Sequence, residues 1–273
     1  MWLALAAGLL LVVGAVAWAA PQGPPPVPTP AALADSGMEL AFNEEFDGKL
    51  DKRKWDTCYH YGDPDGCTNY WNSEVQWYLP EQVTTENGRL KLEIERKQFV
   101  SQTRGTFAYR SGMVTTRPGY AFQYGYVEIA ADYPTGQGLW PALWMLPAAS
   151  DSPEIDIMEV ISREPDKVNF NVHFSDALAI TEGGQRRTSG PGSADLPGLS
   201  SGMHTFGVDW RADRIDWYVD GQLHHSFTDR SRIPHEPMYL IANVASGGSW
   251  AGSPDGTTPL PATMEIDYVR VWR

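Results

Sequence analysis

Apolar and polar residues alternate with a period of two from about residue 38 to the C-terminus, and no long segment shows the 3.6-residue period of a helix. Gly, Pro, Asn and Asp bound these runs, as they do at strand ends. Asp220-Gly221 between two runs predicts a tight hairpin turn. No later change in composition divides the chain, so the pattern predicts one all-β domain of two stacked antiparallel sheets. The runs are GRLKLEIERK (88–97), YGYVEIAADY (124–133), DKVNFNVHF (166–174), HTFGVDW (204–210), RIDWYVDGQLHHSF (214–227) and MEIDYVRVW (264–272).

Two segments carry side chains that a simple packed core does not require. In DKVNFNVHF (166–174) one face is apolar and the other carries hydrogen-bonding groups, because successive side chains of a strand point to opposite faces. GLWPALWML (138–146) is apolar on both faces, which predicts either burial on two faces or a tryptophan-lined groove on one. The first segment has Val168, Phe170, Val172 and Phe174 on its apolar face, and Asn169, Asn171 and His173 on its polar face.

The segment SPEIDIMEVIS (152–162) places three carboxylates in an otherwise apolar run. Its β-branched residues and flanking Ser and Pro predict a strand, in which Glu154 and Asp156 share a face. Strict alternation would direct Glu159 into the core, where a lone carboxylate costs several kcal/mol or is forced neutral. We therefore predict a β-bulge near Ile157 and Met158 that returns Glu159 to the face of the other two acids.

Three adjacent carboxylates repel one another, so at least one of them is expected to hold a proton near neutral pH. This arrangement suits cleavage of a glycosidic bond, in which one carboxylate attacks the anomeric carbon and a carboxylic acid protonates the leaving oxygen. An approach of Glu154 and Glu159 to about 5–5.5 Å would give the geometry of a retaining enzyme. A solvated acidic edge and a cation site are the alternatives that the residues alone leave open.

The N-terminal segment MWLALAAGLLLVVGAVAWAA (1–20) is apolar and carries no charged side chain. We interpret it as a signal peptide or a membrane anchor, and favour export with cleavage. Residues 21–35 are rich in proline and predict an extended linker, which leaves residues 36–273 as the domain. Because both interpretations of residues 1–20 place the domain outside the cytoplasm, we expect it to be secreted or anchored at the cell surface.

The charge of the chain excludes some classes of ligand. The formal net charge of -13 belongs entirely to the domain, since residues 1–30 contain no ionisable side chain. A surface of that sign repels nucleic acid and anionic lipid, neither of which finds a basic patch. The 11 tryptophans exceed what packing normally demands. Their flat rings suit stacking against sugars, although more than half of them are expected in the core.

The two cysteines of the chain, Cys58 and Cys67, bracket the polar loop CYHYGDPDGC. In an exported protein this spacing predicts one disulfide that closes the loop. Zinc is not expected, because His60 is the only histidine nearby and two thiols with one imidazole fall short of a closed tetrahedral site.

The signature E-x-D-x-x-E at 154–159 is accompanied by ordered blocks, namely FNEEFDG (42–48), NSEVQWY (72–78), NGRLKLE (87–93), YGYVEIAADYPTGQGLWPALWMLP (124–147), HTFGVDW (204–210), IDWYVDG (215–221), ANVASGGSWAG (242–252) and IDYVRVW (266–272). Together these blocks resemble glycoside hydrolase family 16, in its laminarinase-like branch. The resemblance covers the chain from about residue 38 to the C-terminus. It implies a concanavalin A-like β-jelly-roll sandwich with a concave cleft that binds glycans.

The resemblance also implies roles for the three acids. Glu154 would be the nucleophile, Glu159 the general acid/base, and Asp156 the neighbour that orients Glu154 and modulates its charge. The residues that fall where the family lines its cleft are Trp140, Trp144 and His173, with Asn72 and Glu74 at sugar-contacting positions. A place in the core is an equal alternative for Trp144.

Some members of the resembled family hold a structural calcium ion on the convex side of the sandwich. The corresponding positions here are Glu45, Gly88 and Asp267. Oxygen ligands suit calcium, although three protein groups are few for this ion without added waters. No cofactor is expected to be required for catalysis.

The expected activity is that of an extracellular, retaining endo-β-1,3-glucanase, a hydrolase of O-glycosyl bonds, with β-1,3-1,4-glucan as a second substrate. Two alternatives stay open: a transglycosylase on the same scaffold and a non-catalytic β-glucan-binding module. The presence of all three acids disfavours the binding module. The expected partner is a polysaccharide, and the protein is expected to be a monomer that meets a membrane only if residues 1–20 are retained.

Overall fold

The computed structural model describes the backbone of residues 30–34, 36–59, 67–69, 72–181 and 184–273, and their side chains except those of 175–189. The predicted signal peptide or anchor at residues 1–20 lies outside the described residues. So does most of the predicted linker. Among the helices of the described part, none is both long and apolar enough to cross a membrane.

Two large antiparallel sheets form the fold, which we call the back sheet and the cleft sheet. The back sheet has the strand order β17-β16-β15-β9-β19-β4-β3, with β1 also paired to β19. It contains β1 (Leu40–Glu44), β3 (Val83–Glu86), β4 (Arg89–Ile94), β9 (Gly125–Asp132), β15 (His204–Trp210), β16 (Ile215–Val219), β17 (Gln222–Phe227) and β19 (Ala262–Trp272).

The cleft sheet has the strand order β13-β12-β11-β10-β18-β8, with β14 also paired to β12. Its strands are β8 (Met113–Thr115), β10 (Leu139–Pro147), β11 (Glu154–Glu159), β12 (Lys167–Thr181), β13 (Gly184–Ser189), β14 (Gly192–Asp195) and β18 (Met238–Ser246). The remaining elements are the short strands β2 (Gln76–Tyr78), β5 (Phe99–Ser101), β6 (Gly105–Phe107) and β7 (Tyr109–Ser111), the helix α1 (Gly248–Ala251), and 3-10 turns at Ala31–Leu33 and Pro80–Gln82.

The core lies between the two sheets and is built by the predicted alternation. On β12, the four residues predicted to be apolar and inward are all buried, and the intervening polar residues face the other way. Equivalent inward positions of the back sheet complete the same cluster. Representative core members are Val168, Phe170, Val172, Phe206, Val208, Trp217, Ile266 and Val269. The predicted all-β sandwich is confirmed.

The outer face of the cleft sheet carries a second buried cluster. Leu143 and Met145 of β10 point into the core, whereas Ala142 and Trp144 point outward into this cluster. The segment GLWPALWML is therefore buried on both faces, and the same outer face also lines a cavity. The cluster contains Tyr59, Cys67, Tyr78, Met113, Ala142, Trp144, Leu146, Tyr239 and Ile241.

The predicted hairpin turn joins β16 to β17. Asp220 and Gly221 have φ of 49° and 72°, the left-handed pair that a tight two-residue turn requires. Asn87 and Gly88, with φ of 54° and 72°, join β3 to β4 in the same way.

The predicted end of the linker at residue 35 stays a prediction, and the structure packs residues just before it against the back sheet. Ala31–Leu33 forms a 3-10 turn, and Leu33 is only 2% exposed. It packs in a small cluster with Tyr126 and Trp272 on the back sheet. The Leu33 side chain therefore packs with the folded domain although it lies within the predicted linker.

The predicted disulfide is not formed in the structure, where Cys58 and Cys67 are both free. The Cys67 thiol is buried in the outer cluster and donates to Met113 Sδ over 3.6 Å. Burial, followed by the neighbouring Cys58 thiol, raises the pKa of Cys67. This environment favours the protonated thiol, which is the less reactive form in disulfide exchange.

Candidate active site

The predicted bulge is present in β11, at the residues that the sequence singled out. Asp156 pairs with Asn171 and Glu159 with Asn169, so two residues of β11 oppose a single residue of β12. The register on the β10 side shifts at the same point. Ile157 and Met158 are both buried in the core. The extra residue returns Glu159 to the outer face, as predicted from the cost of burying a lone carboxylate in the core.

Two hydrogen bonds from side chains secure the backbone at the bulge. The indole Nε1 of Trp217, on the back sheet, donates to the Asp156 carbonyl over 2.8 Å across the core. Asn169 Nδ2 donates to the Glu159 carbonyl over 3.2 Å. Carbonyls displaced from a regular ladder need such partners when buried, so these bonds hold the carboxylate-bearing strand in its irregular form.

His173 stands beside the first two acids. It lies directly opposite Glu154 on β12. Its Nε2 is 3.1 Å from Asp156 Oδ2 and 3.7 Å from Glu154 Oε1. One carboxylate oxygen of Glu154, one of Asp156 and one ring nitrogen of His173 all lie within 4.8 Å of one another. His173 thereby links the two acids, a placement that favours their charged forms when its imidazole is protonated.

Glu159 is buried, at 8% exposure, beside the other two acids. Burial raises its pKa well above the usual value, and the Asp156 and Glu154 carboxylates raise it further. The charge of His173 and a hydrogen bond of 3.1 Å from Trp140 Nε1 act in the opposite direction. The balance favours a protonated Glu159, as a proton donor in the site requires.

A cavity of about 290 Å³ opens over these carboxylates, and we call it the cleft. Trp140 of β10 lines it and packs edge-on against Trp250 of α1, with ring centroids 5.1 Å apart. Trp144 lines it as well, although it is only 8% exposed, so the groove and core interpretations of this residue both hold. All eight residues predicted for catalysis and substrate binding lie around the cleft, namely Asn72, Glu74, Trp140, Trp144, Glu154, Asp156, Glu159 and His173.

Glu74 forms one wall of the cleft together with Asn72. Its carboxylate is 7% exposed and accepts hydrogen bonds from Gln76 Nε2 at 2.5 Å and from Tyr78 Oη at 3.3 Å. The Asn72 amide donates to it over 3.4 Å. Burial raises the pKa of Glu74 to about 7, and these hydrogen bonds limit the rise.

Several cleft residues were not identified from the sequence. Asn243 and Ala245 lie on β18, which is buried along its whole length, so alternation gave no sign that one face borders a cavity. Tyr59 and Asn69 come from a region without strand pattern. Asn171 was placed on a polar face but was not assigned to the site.

The residues of the predicted calcium site do not form a cation site as placed. Both oxygens of the Glu45 carboxylate accept hydrogen bonds from Arg270 at 2.8–3.0 Å. Asp267 lies 3.5 Å from Arg89 Nε. A calcium ion would compete with an arginine at each carboxylate, so the donor set does not fit the ion in this arrangement. Calcium binding stays a prediction.

Comparison with known proteins agrees with the fold. The family model of Glycosyl hydrolases family 16 matches residues 71–270. The chain is 34% identical to Glucan endo-1,3-beta-glucosidase A1 of Niallia circulans, over 90% of its own length and 39% of that protein. It is 35% identical to Beta-glucanase of Rhodothermus marinus, over 86% of the chain and 85% of that protein.

Among solved structures, the laminarinase catalytic domain of Thermotoga maritima MSB8 is 34% identical to the chain and matches it with a TM-score of 0.76. The match covers 86% of this chain and 98% of that domain. The two-sheet jelly roll, the carboxylates in its aromatic cleft and the match to a laminarinase together identify a glycoside hydrolase. With the family model spanning residues 71–270, the chain belongs to glycosyl hydrolases family 16.

Proposed function

We propose that the protein is an extracellular, retaining endo-β-1,3-glucanase that also accepts β-1,3-1,4-glucan. The observation that carries the proposal is the bulge in β11, which aligns Glu154, Asp156 and Glu159 on the cleft surface. The names of the related proteins support β-1,3-glucan as the substrate. The apolar segment at residues 1–20 supports export.

In the first step, Glu154 attacks the anomeric carbon while the carboxylic acid of Glu159 donates its proton to the departing glycosidic oxygen. The products are a covalent glycosyl ester at Glu154 and a shortened glucan with a free hydroxyl. Glu159 is left as a carboxylate. Trp140 Nε1, which already donates to Glu159 Oε1 over 3.1 Å, stabilises that negative charge.

In the second step, the Glu159 carboxylate takes a proton from water, whose oxygen attacks the same anomeric carbon and releases Glu154. Both carboxylates return to their starting states, and the configuration at the anomeric carbon is retained. Asp156, with its Oδ2 3.1 Å from His173 Nε2, keeps the histidine beside Glu154 and maintains the negative potential that holds the proton on Glu159.

The test is release of reducing sugar by the full-length chain from laminarin, lichenan, agarose and carboxymethyl cellulose, with Glu154→Gln as the control. We expect release from laminarin and lichenan, and a rate below about a hundredth of wild type in the variant. Proton NMR of the first products should give the β-anomer. Activity of Glu154→Gln above that level, or an initial α-anomer, would contradict the proposed mechanism.

The same assay separates the two alternatives. A transglycosylase would form longer oligosaccharides at high substrate concentration, with little reducing sugar released, because a sugar hydroxyl replaces water in the second step. A binding module would retain laminarin without any turnover. Either result from a folded wild-type chain would contradict hydrolysis and support the corresponding alternative function.

A further inference from the structure

Four buried side chains under the cleft are joined end to end by hydrogen bonds. Trp144 Nε1 donates to Asn243 Oδ1 over 2.7 Å, and Asn243 Nδ2 donates to Tyr78 Oη over 3.0 Å. Tyr78 Oη then donates to Glu74 Oε2 over 3.3 Å. We call this series the cleft chain. It connects the floor of the cleft at Trp144 to its wall at Glu74.

Every bond of the cleft chain runs in the same direction. The Trp144 indole can only donate, so Asn243 must present its oxygen to it and its amide nitrogen to Tyr78. The Tyr78 oxygen accepts that bond, which leaves its proton for Glu74. An ionised carboxylate has no proton to donate. Glu74 can therefore accept the hydrogen bond from the Tyr78 hydroxyl, and no two donors face each other in the series. Bonds aligned in this way polarise and strengthen one another in a buried setting.

The Glu74 carboxylate, at the wall of the cleft, is held by a second, independent set of hydrogen-bond donors. Gln76 Oε1 accepts from the Ser246 amide over 2.8 Å, which directs Gln76 Nε2 to Glu74 Oε2. The Asn69 amide also donates to Glu74 Oε2, and Asn72 Nδ2 donates to Glu74 Oε1. The orientation of Glu74 therefore determines where the Asn72 amide stands at the cleft surface.

Tyr78 is the one member of the cleft chain that does not line the cleft. Tyr78 is 0% exposed, and it is absent from the residues that line the cavity. Trp144, by contrast, lies directly opposite Asp156 in the register of β10 and β11. A residue that no substrate can touch thus links a cleft tryptophan next to the acids with the polar wall.

We propose that Tyr78 and Asn243 are positioning residues that couple the Trp144 floor to the Asn72–Glu74 wall, and so determine how tightly a sugar unit is held beside the catalytic acids. The inference rests on the proposed function, because it concerns affinity in the same cleft. Removal of the Tyr78 hydroxyl leaves the ring in place but leaves the Asn243 amide without its acceptor and Glu74 without one donor.

The first test compares Tyr78→Phe with Tyr126→Phe. Tyr126 is a matched control, because its hydroxyl is equally buried and donates to the buried Glu128 over 3.0 Å, but on the back sheet. We expect KM for laminarin to rise about fivefold in Tyr78→Phe, the effect of one hydrogen bond, with kcat changed less than about twofold. We expect KM to stay unchanged in Tyr126→Phe, while both variants lose a similar amount of thermal stability.

The second test follows the indole N–H resonance of Trp144 by NMR, assigned with Trp144→Phe, in the absence of any glucan. Because the cleft chain is polarised along its length, Glu74→Gln should move this resonance although Glu74 does not touch the indole. Glu128→Gln, which changes the acceptor of the Tyr126 pair, should leave it in place. This measurement serves even if Tyr78→Phe does not fold.

The outcomes of these two tests can be distinguished from a failure of the proposed function. A wild-type chain without activity on any β-glucan would remove the proposed substrate, while a moved Trp144 resonance in Glu74→Gln would still support the coupling. Activity on laminarin, with KM equal in Tyr78→Phe and Tyr126→Phe, would overturn the positioning role. An unmoved Trp144 resonance in Glu74→Gln would overturn it as well.

Discussion

Burial raises the pKa of two glutamates of the cleft, and their neighbours then act in opposite directions. Glu159 is buried beside two further carboxylates, which raise its pKa beyond what burial does alone. Glu74 is equally buried, but its neighbours are hydrogen-bond donors, and its pKa rises only to about 7. The first environment favours a neutral acid that can give up a proton, whereas the donors around Glu74 offset only part of what burial costs its charged form.

Glu159→Gln should distinguish proton donation from simple charge stabilisation. The amide cannot donate a proton to a departing sugar, so the rate on laminarin should fall by about 10²–10⁴-fold. An aryl glycoside with an acidic phenol leaves without such help, so its first step should be much less affected. Burst kinetics with that substrate would measure this step, and an equal loss on both substrates would exclude Glu159 as the acid.

Glu74→Gln should change how stability depends on pH. The pKa of Glu74 in the folded protein, about 7, exceeds its ordinary value of 4.5. The folded state therefore binds more protons than the unfolded state between these values, and wild-type stability falls as the pH rises through this range. The full cost above pH 7 is about 3 kcal/mol.

The glutamine variant has no such titration. Its free energy of unfolding relative to wild type should therefore rise by about 3 kcal/mol from pH 4 to pH 8, whatever constant loss the changed hydrogen bonds cause. Urea unfolding at both pH values measures this difference. An offset between the two proteins that stays constant with pH would show that burial does not raise the pKa of Glu74.

At the scale of single elements, β11 is where the sequence was most informative. The third acid could not enter the core without a large cost, and one extra residue was the simplest solution, so the position of the bulge followed from burial alone. What holds the bulge could not be predicted. Trp217 lies 61 residues away from Asp156 in the chain, and strand alternation marks it only as a core residue.

Trp217→Phe should loosen the bulge while keeping an aromatic ring in the core. The variant loses the 2.8 Å hydrogen bond to the Asp156 carbonyl, which then lies buried without that donor, at a cost of about 1–3 kcal/mol. We expect a lower thermal midpoint and a fall in kcat larger than the change in KM, since the acids are misplaced relative to the bond.

Trp210→Phe is the matched control for this experiment, because its indole also donates to a buried carbonyl, that of Pro234, over 3.0 Å. It should lower stability by a similar amount without the selective loss of kcat. Equal effects of both variants on kcat would mean that Trp217 acts on the fold as a whole.

The strand β18 marks the limit of prediction from pattern. All nine of its residues are buried, so its two faces look alike in the sequence although one of them borders the cleft. Asn243 is a polar residue in such a strand, and its hydrogen bonds go to side chains that are distant in sequence. Contacts of this kind arise when several segments pack together. The alternation of apolar and polar residues within one strand does not reveal them.

For the whole molecule, the packing of Leu33 bears on where the domain begins. Proline content predicted a linker to residue 35, but Leu33 is buried against Tyr126 and Trp272. A chain that begins at residue 36 should be less stable than one that begins at residue 30 by about 1.5–3 kcal/mol, the contribution of one buried leucine. Guanidinium unfolding of the two chains measures the difference.

Leu33→Ala within the longer chain is the control for that comparison. If the loss comes from the Leu33 side chain, this variant should account for most of the difference between the two chains. Equal stability of the two chains and the Leu33→Ala variant would show that residues 30–35 do not stabilise the domain and act as linker.

The position of β11 within the cleft sheet has a consequence for polymer solutions. In the order of the cleft sheet, two strands lie on one side of β11 and three on the other. The strands β12, β11, β10 and β18 all contribute residues to the cleft. A polysaccharide lying across these strands would be cut far from its ends. The viscosity of a long glucan should then collapse early, while the number of chain ends has scarcely risen.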